Sequence, residues 1–201
     1  MAEVATSEHL ASNRYYDRTF EIDAVKVLPG EYFVTASNLV VVTVLGSCVT
    51  ACIRDRNRGI GGMNHFMLAE GGTDTVNSAS ARYGSFAMEV LINHLFKLGA
   101  QRNCLEAKVF GGGRVMASLT SSQVGDNNSR FVLDYLKTEG IPVISQDLLD
   151  IYPRKVYFFP KTGRALVKKL VRLHNETVAR REKEYAARLS EAPVAGDVEL
   201  F

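Results

Sequence analysis

The chain has 201 residues, 46% of them hydrophobic, enough for one well-buried domain with appendages and too few to require two. Its 24 lysines and arginines against 22 aspartates and glutamates leave a formal charge of +2, which gives no electrostatic footprint for nucleic acid or an anionic membrane surface, and no apolar run approaches the roughly 18 residues needed to span a bilayer. Residues 1–16 lack the basic start and apolar stretch of a signal peptide, and three scattered cysteines form no disulfide framework, so a cytoplasmic location with free thiols is expected.

Residues 1–18 are polar and small, with Tyr15 and Tyr16 their only aromatic pair, and read as a flexible N-terminal arm or a short helix. From Thr19 the text alternates: Phe20, Ile22 and Ala24 against Glu21 and Asp23, as in a strand, before Pro29-Gly30 turns the chain into Tyr32-Phe33-Val34-Thr35. This predicts an edge hairpin or a pair of short strands.

The apolar, β-branched run 39–45 reads as a buried strand that Gly46-Ser47 breaks, which places Cys48 at the strand's end. Apolar residues resume over 49–53, a polar turn over 54–59 ends in Gly59, and a third strand over 60–68 carries His65. The hairpin brings Cys48 and His65 towards one end, and a thiol becomes a good nucleophile when a base lies within hydrogen-bond reach. Taken alone, the pair also fits a buried structural cysteine and a satisfied strand histidine.

Residues 69–78 read as a surface loop beside the histidine. Tyr83, Phe86, Ala87, Val90, Leu91, Leu95 and Leu98 then form the apolar stripe of a helix over 80–99, with Ser80 as N-cap and Gly99 at its end; His94 lies on that stripe as a partly buried, hydrogen-bonded residue. A strand over 106–110 runs into Gly111-Gly112-Gly113. These glycines lack the Lys-Ser/Thr of a phosphate loop, and a close approach of backbone to a neighbouring strand or to the active site accounts for them. A polar, turn-rich stretch over 118–128 precedes a second helix over 129–138, a strand over 142–146 and a hairpin over 156–167. From 175 the chain reads as a charged, solvated helix with a weak apolar face, then a tail ending in Val198-Glu199-Leu200-Phe201 that has the look of a docking peptide.

Cys48, Cys52 and His65, with Cys104 or His94 as fourth ligand, have spacings that permit a zinc set. No closely spaced second pair exists, and the two cysteines fall in a turn and strand rather than on a knuckle, so no metal or other cofactor is expected.

Leu45-Gly46-Ser47-Cys48 and the 61–68 stretch Gly-Gly-Met-Asn-His-Phe-Met-Leu resemble the chemoreceptor glutamine deamidase family, CheD. The resemblance continues in order through Arg82-Tyr83, the three glycines after 106–110, the 124–128 turn and the hairpin from Arg154-Lys155-Val156 to Thr162-Gly163, and covers residues 25–172. It implies an α+β fold, a layered mixed β-sheet core with two amphipathic helices packed on the outside, and a catalytic domain over 19–174 flanked by the arm over 1–18 and the charged helix and tail over 175–201. It implies hydrolysis of glutamine side-chain amides on the cytoplasmic helices of chemoreceptors, with the CheC phosphatase as a further partner and a non-catalytic regulatory module as the alternative. Cys48 is then the nucleophile and His65 the base, with Gly46 and Ser47 in the oxyanion and substrate loop. The family's third catalytic residue is a threonine shortly before the cysteine. Val42 holds the aligned position and Thr43 is its neighbour, so Thr43 is carried over on the expectation that the strand end is shifted or twisted. Leu149-Asp150 stands where the family has Gly-Gly, and Asn127 where it has arginine.

Overall fold

Alternation along the strands sorts the apolar side chains into layers, and the architecture follows from those layers. The computed structural model describes residues 9–68, 79–115, 119–171 and 176–191. Its elements are β1 (Asn13–Asp17), β2 (Ile22–Lys26), β3 (Tyr32–Thr35), β4 (Val40–Leu45), β5 (Val49–Asp55), β6 (Ile60–Asn64), α1 (Ala79–Lys97), β7 (Leu105–Gly111), α2 (Leu119–Thr138), β8 (Val143–Leu148), β9 (Arg154–Phe159), β10 (Arg164–Lys169) and α3 (Glu176–Glu191). Sheet I has the order β3-β6-β5-β7-β8 and sheet II the order β1-β2-β4-β9-β10. Both are mixed: β7 and β8 are parallel in one and β2 and β4 in the other, while the remaining pairs are antiparallel. The α+β class with a layered mixed-sheet core is what the structure has.

One face of sheet I and one face of sheet II meet over Val25, Val41, Leu45, Cys52, Met63, Phe110, Val156 and Phe158. The other face of sheet I is covered by both amphipathic helices. Helix α1 contributes Met88, Leu91, Ile92 and Leu95, spaced i, i+3, i+4 and i+7, and α2 contributes Val132 and Leu136, packed on Val34, Ala51, Ile53, Ala107 and Val109. Fully burying each larger side chain of this kind is worth about 1.5–3 kcal/mol. The outer face of sheet II carries only a small cluster, Ala24, Val40 and Val42, with Phe20 edge-on to Tyr157 and Phe159.

Three local expectations change, and the structure separates two consecutive strands. Residues 13–17 of the expected arm form strand β1, paired antiparallel with β2; its side chains are polar because it is an edge strand held by its backbone ladder, with the Asp17 carboxylate accepting from the Thr19 and Phe20 N–H groups in the turn that follows. Strands β4 and β5 are not paired with each other, since the chain leaves sheet II at Leu45 and enters sheet I at Val49. Helix α2 begins ten residues before the expected 129, because Gly125, Asn128 and Ser129 use their small or polar side chains against neighbouring backbone instead of in turns. Helix α3 is solvated on one side only: an Arg180–Glu184 pair lies on its exposed face, while Glu182 and Tyr185 are buried.

The loop over 69–78 and the apolar end of the tail lie outside the described residues. No helix among the described residues is long and apolar enough to cross a membrane.

Candidate active site

The site lies where the chain crosses from sheet II to sheet I. Residues 46–48 make that crossing. Immediately after it, Val49 exchanges both backbone hydrogen bonds with Phe66, at 2.9 and 3.0 Å, which brings the neighbouring Cys48 and His65 to one end of sheet I. The backbone of His65 is fixed on its other side as well: its N–H donates to the Glu31 carbonyl and its carbonyl accepts from the Gly30 N–H, at 2.9 and 2.8 Å. Side chains replace part of the ladder here, with Asn64 Oδ1 accepting from the Ala51 N–H and the Thr50 hydroxyl donating to the Asn64 carbonyl.

Thr43 reaches this point from sheet II. Along β4, Val40 and Val42 face outward, while Val41, Thr43 and Leu45 face the layer between the sheets, so a regular strand already aims Thr43 at His65 and the expected shift or twist is absent. Thr43 Oγ1 lies 2.8 Å from His65 Nδ1 and 2.8 Å from the Val27 carbonyl oxygen. The hydroxyl has one proton, and a carbonyl only accepts, so that proton goes to Val27. Thr43 Oγ1 therefore accepts from His65 Nδ1–H, and donor counting assigns neutral His65 as the tautomer with a bare Nε2. His65 Nε2 is buried and makes no hydrogen bond among the described residues, leaving its lone pair free.

The 46–48 turn presents three consecutive backbone N–H groups to one carboxylate, that of Glu182 on α3. Oε1 accepts from Gly46 N–H at 2.9 Å and Cys48 N–H at 3.0 Å; Oε2 accepts from Ser47 N–H at 2.9 Å and the Ser47 hydroxyl at 2.7 Å. Gly46 permits the approach, because a Cβ there would stand 2.7 Å from Oε2 and 2.8 Å from Oε1. Convergent N–H groups of this kind form an anion cradle.

With α3 in place Cys48 is 0% exposed, His65 2% and Glu182 2%. Burial pushes the Cys48 thiol well above its ordinary range, and the Glu182 charge pushes it further. Burial lowers His65 to about 4, with the same carboxylate opposing that shift. Glu182 is thus near enough to act on both groups.

The turn is held from behind. Gly112 N–H donates to the Cys48 carbonyl at 2.8 Å and Gly113 N–H to the Gly46 carbonyl at 2.7 Å. Gly111 and Gly112 have φ of 112° and 64°, and a Cβ on Gly111 would lie 2.2 Å from the Cys48 carbonyl oxygen, so the three glycines serve close backbone approach. Asn128 on α2 donates to the Ser47 carbonyl and accepts from the Leu68 N–H. Fully buried Arg154 pairs with Asp147 at 3.0 Å and donates to the carbonyls of Gly111, Tyr152 and Leu149.

Thr43 bonds His65, the N–H groups of Gly46, Ser47 and Cys48 share the Glu182 carboxylate, and the Val49–Phe66 pairing sets Cys48 and His65 at one end of sheet I, with no hydrogen bond between thiol and imidazole among the described residues. The structure leaves Cys52 on β5 between the sheets and Cys104 beside Asn57, and His94 is half-buried against the Tyr32 hydroxyl at 3.3 Å. No group of three or more His, Cys, Asp or Glu able to hold a metal occurs among the described residues. Sequence reasoning missed Glu182, Tyr185, Asn128 and the burial of Arg154. For α3 the one available signal was Glu182, Tyr185, Ala186 and Leu189 at i, i+3, i+4 and i+7.

The family profile described as CheD chemotactic sensory transduction matches residues 67–169. A protein of Dechloromonas aromatica (strain RCB) named "Probable chemoreceptor glutamine deamidase CheD 1" is 65% identical over 198 residues, 98% of each chain. Proteins named "Probable chemoreceptor glutamine deamidase CheD" from Herminiimonas arsenicoxydans and Laribacter hongkongensis (strain HLHK9) are 60% and 49% identical over 198 residues, which span 98% of this chain in both cases and 98% and 96% of theirs. Among solved structures, the hypothetical protein YfiH of Bacillus licheniformis covers 60% of this chain and 49% of its own at a TM-score of 0.33 and 11% identity, a likeness too low to carry an argument. Relatives that match along nearly the whole length, together with the profile over residues 67–169, establish that this chain belongs to the CheD family.

Proposed function

We propose that this chain is a cytoplasmic enzyme of chemotaxis adaptation that hydrolyses glutamine side-chain amides on chemoreceptor helices to glutamates, releasing ammonia. The observation that carries the reading is the cradle: three backbone N–H groups beside a thiol and a histidine close on a side-chain carboxylate, the chemical form a glutamine takes after deamidation. The names of the whole-length relatives supply the substrate class.

In the proposed mechanism His65 Nε2 takes the Cys48 proton, and the thiolate attacks the carboxamide carbon. The developing oxyanion lies where Oε1 of Glu182 lies, between the Gly46 and Cys48 N–H groups. The protonated imidazole returns its proton to the departing ammonia, water then cleaves the thioester, and the products are a carboxylate and the restored thiol. Thr43 is a positioning residue: its bond to Nδ1 keeps Nε2 free and oriented. No metal or other cofactor enters this chemistry.

The test is to incubate the protein with the cytoplasmic fragment of a chemoreceptor and follow ammonia together with the fragment's peptide masses. The expected result is one ammonia per glutamine converted, each conversion adding about 1 Da, as amide hydrolysis requires. Receptor fragments left unmodified, with no ammonia released, would overturn the reading.

A further inference from the structure

Glu182 holds the position that the proposed mechanism gives to a substrate side chain, and it does so from a helix. Its Oε1 lies between the two N–H groups assigned to the oxyanion, beside the nucleophile and the base. The rest of α3 is seated as closely. Tyr185, one turn on, is 5% exposed, packs over Gly30 where a Cβ would stand 3.1 Å from its ring, and shares a hydroxyl hydrogen bond with Tyr83 of α1. Ala186 and Leu189 pack on the layer between the sheets. The seated face is therefore 182, 185, 186 and 189, one stripe of a helix. A cleft lined by Lys26, Pro29, Val44, Val178 and Arg181 opens beside it towards His65.

We propose that α3 is a built-in product analogue: the surface running from the 46–48 turn past Gly30 and Tyr83 is the docking site for a substrate helix, and α3 fills it with Glu182 in the place of the deamidated residue. The inference rests on the deamidase reading, which already places the glutamine on a helix, and adds two things to it. First, the preferred helix carries apolar or aromatic residues three, four and seven positions after the glutamine, matching Tyr185, Ala186 and Leu189. Second, the chain inhibits itself, because a substrate helix and α3 cannot occupy one surface together, and Cys48 and His65 are covered while α3 is seated.

The ligand chemistry favours product over substrate. A carboxylate accepts from all of Gly46 N–H, Cys48 N–H, Ser47 N–H and the Ser47 hydroxyl. A carboxamide keeps the first two through its oxygen. Its NH2 faces the Ser47 hydroxyl as donor to acceptor and leaves the Ser47 N–H without a partner. A glutamine at 182 is thus held where it reacts and less firmly than the glutamate it becomes.

Self-conversion tests this directly. In the full chain with Glu182→Gln, Cys48 Sγ bonds to the carboxamide carbon, the C–N bond breaks and ammonia leaves with the proton from His65. Water then cleaves the C–S bond, so one water is consumed and one ammonia released. Peptide mass spectrometry is expected to find residue 182 of the Glu182→Gln protein converted, with a gain of about 1 Da, and unconverted when Cys48→Ala is added. If residue 182 stays a glutamine while the same protein deamidates a receptor fragment, the inference is overturned and the deamidase reading stands. If neither is converted, the deamidase reading fails and the inference with it. A second measurement needs no catalysis: alkylation of Cys48 by iodoacetamide in folded Glu182→Ala and in folded Tyr185→Ala is expected to run about tenfold or more faster than in wild type, since both unseat α3 and uncover the thiol. Equal rates in all three would overturn the inference.

Discussion

Thr43 has a single hydroxyl proton, and its destination decides which nitrogen of His65 is left bare. Because the Val27 carbonyl takes that proton, the pair Thr43–His65 leaves Nε2 bare. Replacing Thr43 with valine keeps the strand and the bulk but leaves a buried N–H without an acceptor, at a cost of about 1–3 kcal/mol in stability. General acid–base catalysis is worth ~10²–10⁴-fold, and kcat in Thr43→Val is expected to fall by about 10- to 100-fold of that with KM little changed and with Thr43→Ser restoring most of it; steady-state kinetics on a receptor fragment check this. The ionisation of the thiol is equally local. Burial and the Glu182 charge both disfavour the thiolate, so in wild type the alkylation rate of Cys48 rises with pH only above the ordinary thiol range. Glu182→Ala removes a negative neighbour and admits water, both of which favour the thiolate, so its alkylation profile is expected to move to lower pH; an unmoved profile would contradict the electrostatic account. Local signals, a glycine-serine break and a strand end, put Cys48 and His65 at one end of the fold but left a structural reading open; the family resemblance is what singled them out as candidates. Thr43 reaches His65 from a regular strand, because 41, 43 and 45 form the inner face of β4 and 40 and 42 the outer one; which face is inner is set by packing between sheets and not by the local sequence.

At the scale of elements, the site depends on how the 46–48 turn is braced. The three-glycine turn was readable as a place of close backbone approach, and it is one, since it donates to the carbonyls of Gly46 and Cys48. What it braces against was not readable. Asn128 belongs to a stretch whose polar composition suggests turns, and it is helical because its amide group and the neighbouring Gly125 and Ser129 fit the backbone of the glycine turn and the 46–48 turn. Leu149 and Asp150, standing where the family has two glycines, both adopt left-handed backbone, with φ of 64° and 70°. Such conformations persist where the surroundings over-determine them. Here Arg154 does so, spanning the Leu149 and Gly111 carbonyls and the Asp147 carboxylate. Arg154→Met strands several buried acceptors at once and is expected to lower stability by at least about 3 kcal/mol, measured by chemical denaturation. A loss below about 1 kcal/mol would mean that the turn is held by other means.

For the whole molecule, the sequence was most informative where periodicity is strong and contacts are near. The strands other than β1 and the long helix α1 could be read from alternation or apolar runs and from the i, i+3, i+4 stripe. Which strands share a sheet was not legible: β4 and β5 are consecutive and apolar, yet they belong to different sheets, and the candidate site lies where the chain changes sheets between them. Helix α3 is the extreme case. Its composition is that of a solvated helix, and the partner of its buried carboxylate Glu182 lies more than 130 positions earlier in the chain, as the separation of Ser47 and Glu182 shows. A long-range contact made by a charged residue to backbone N–H groups has no periodic signature in the sequence.

The central claim is that Cys48 attacks a glutamine amide held by the N–H groups of the 46–48 turn, and the most direct test is the rate of glutamine-to-glutamate conversion in a chemoreceptor fragment by wild-type protein and by folded Cys48→Ala. The account predicts a loss of about 10⁴-fold or more on removal of the nucleophile. Conversion by Cys48→Ala at the wild-type rate would contradict it.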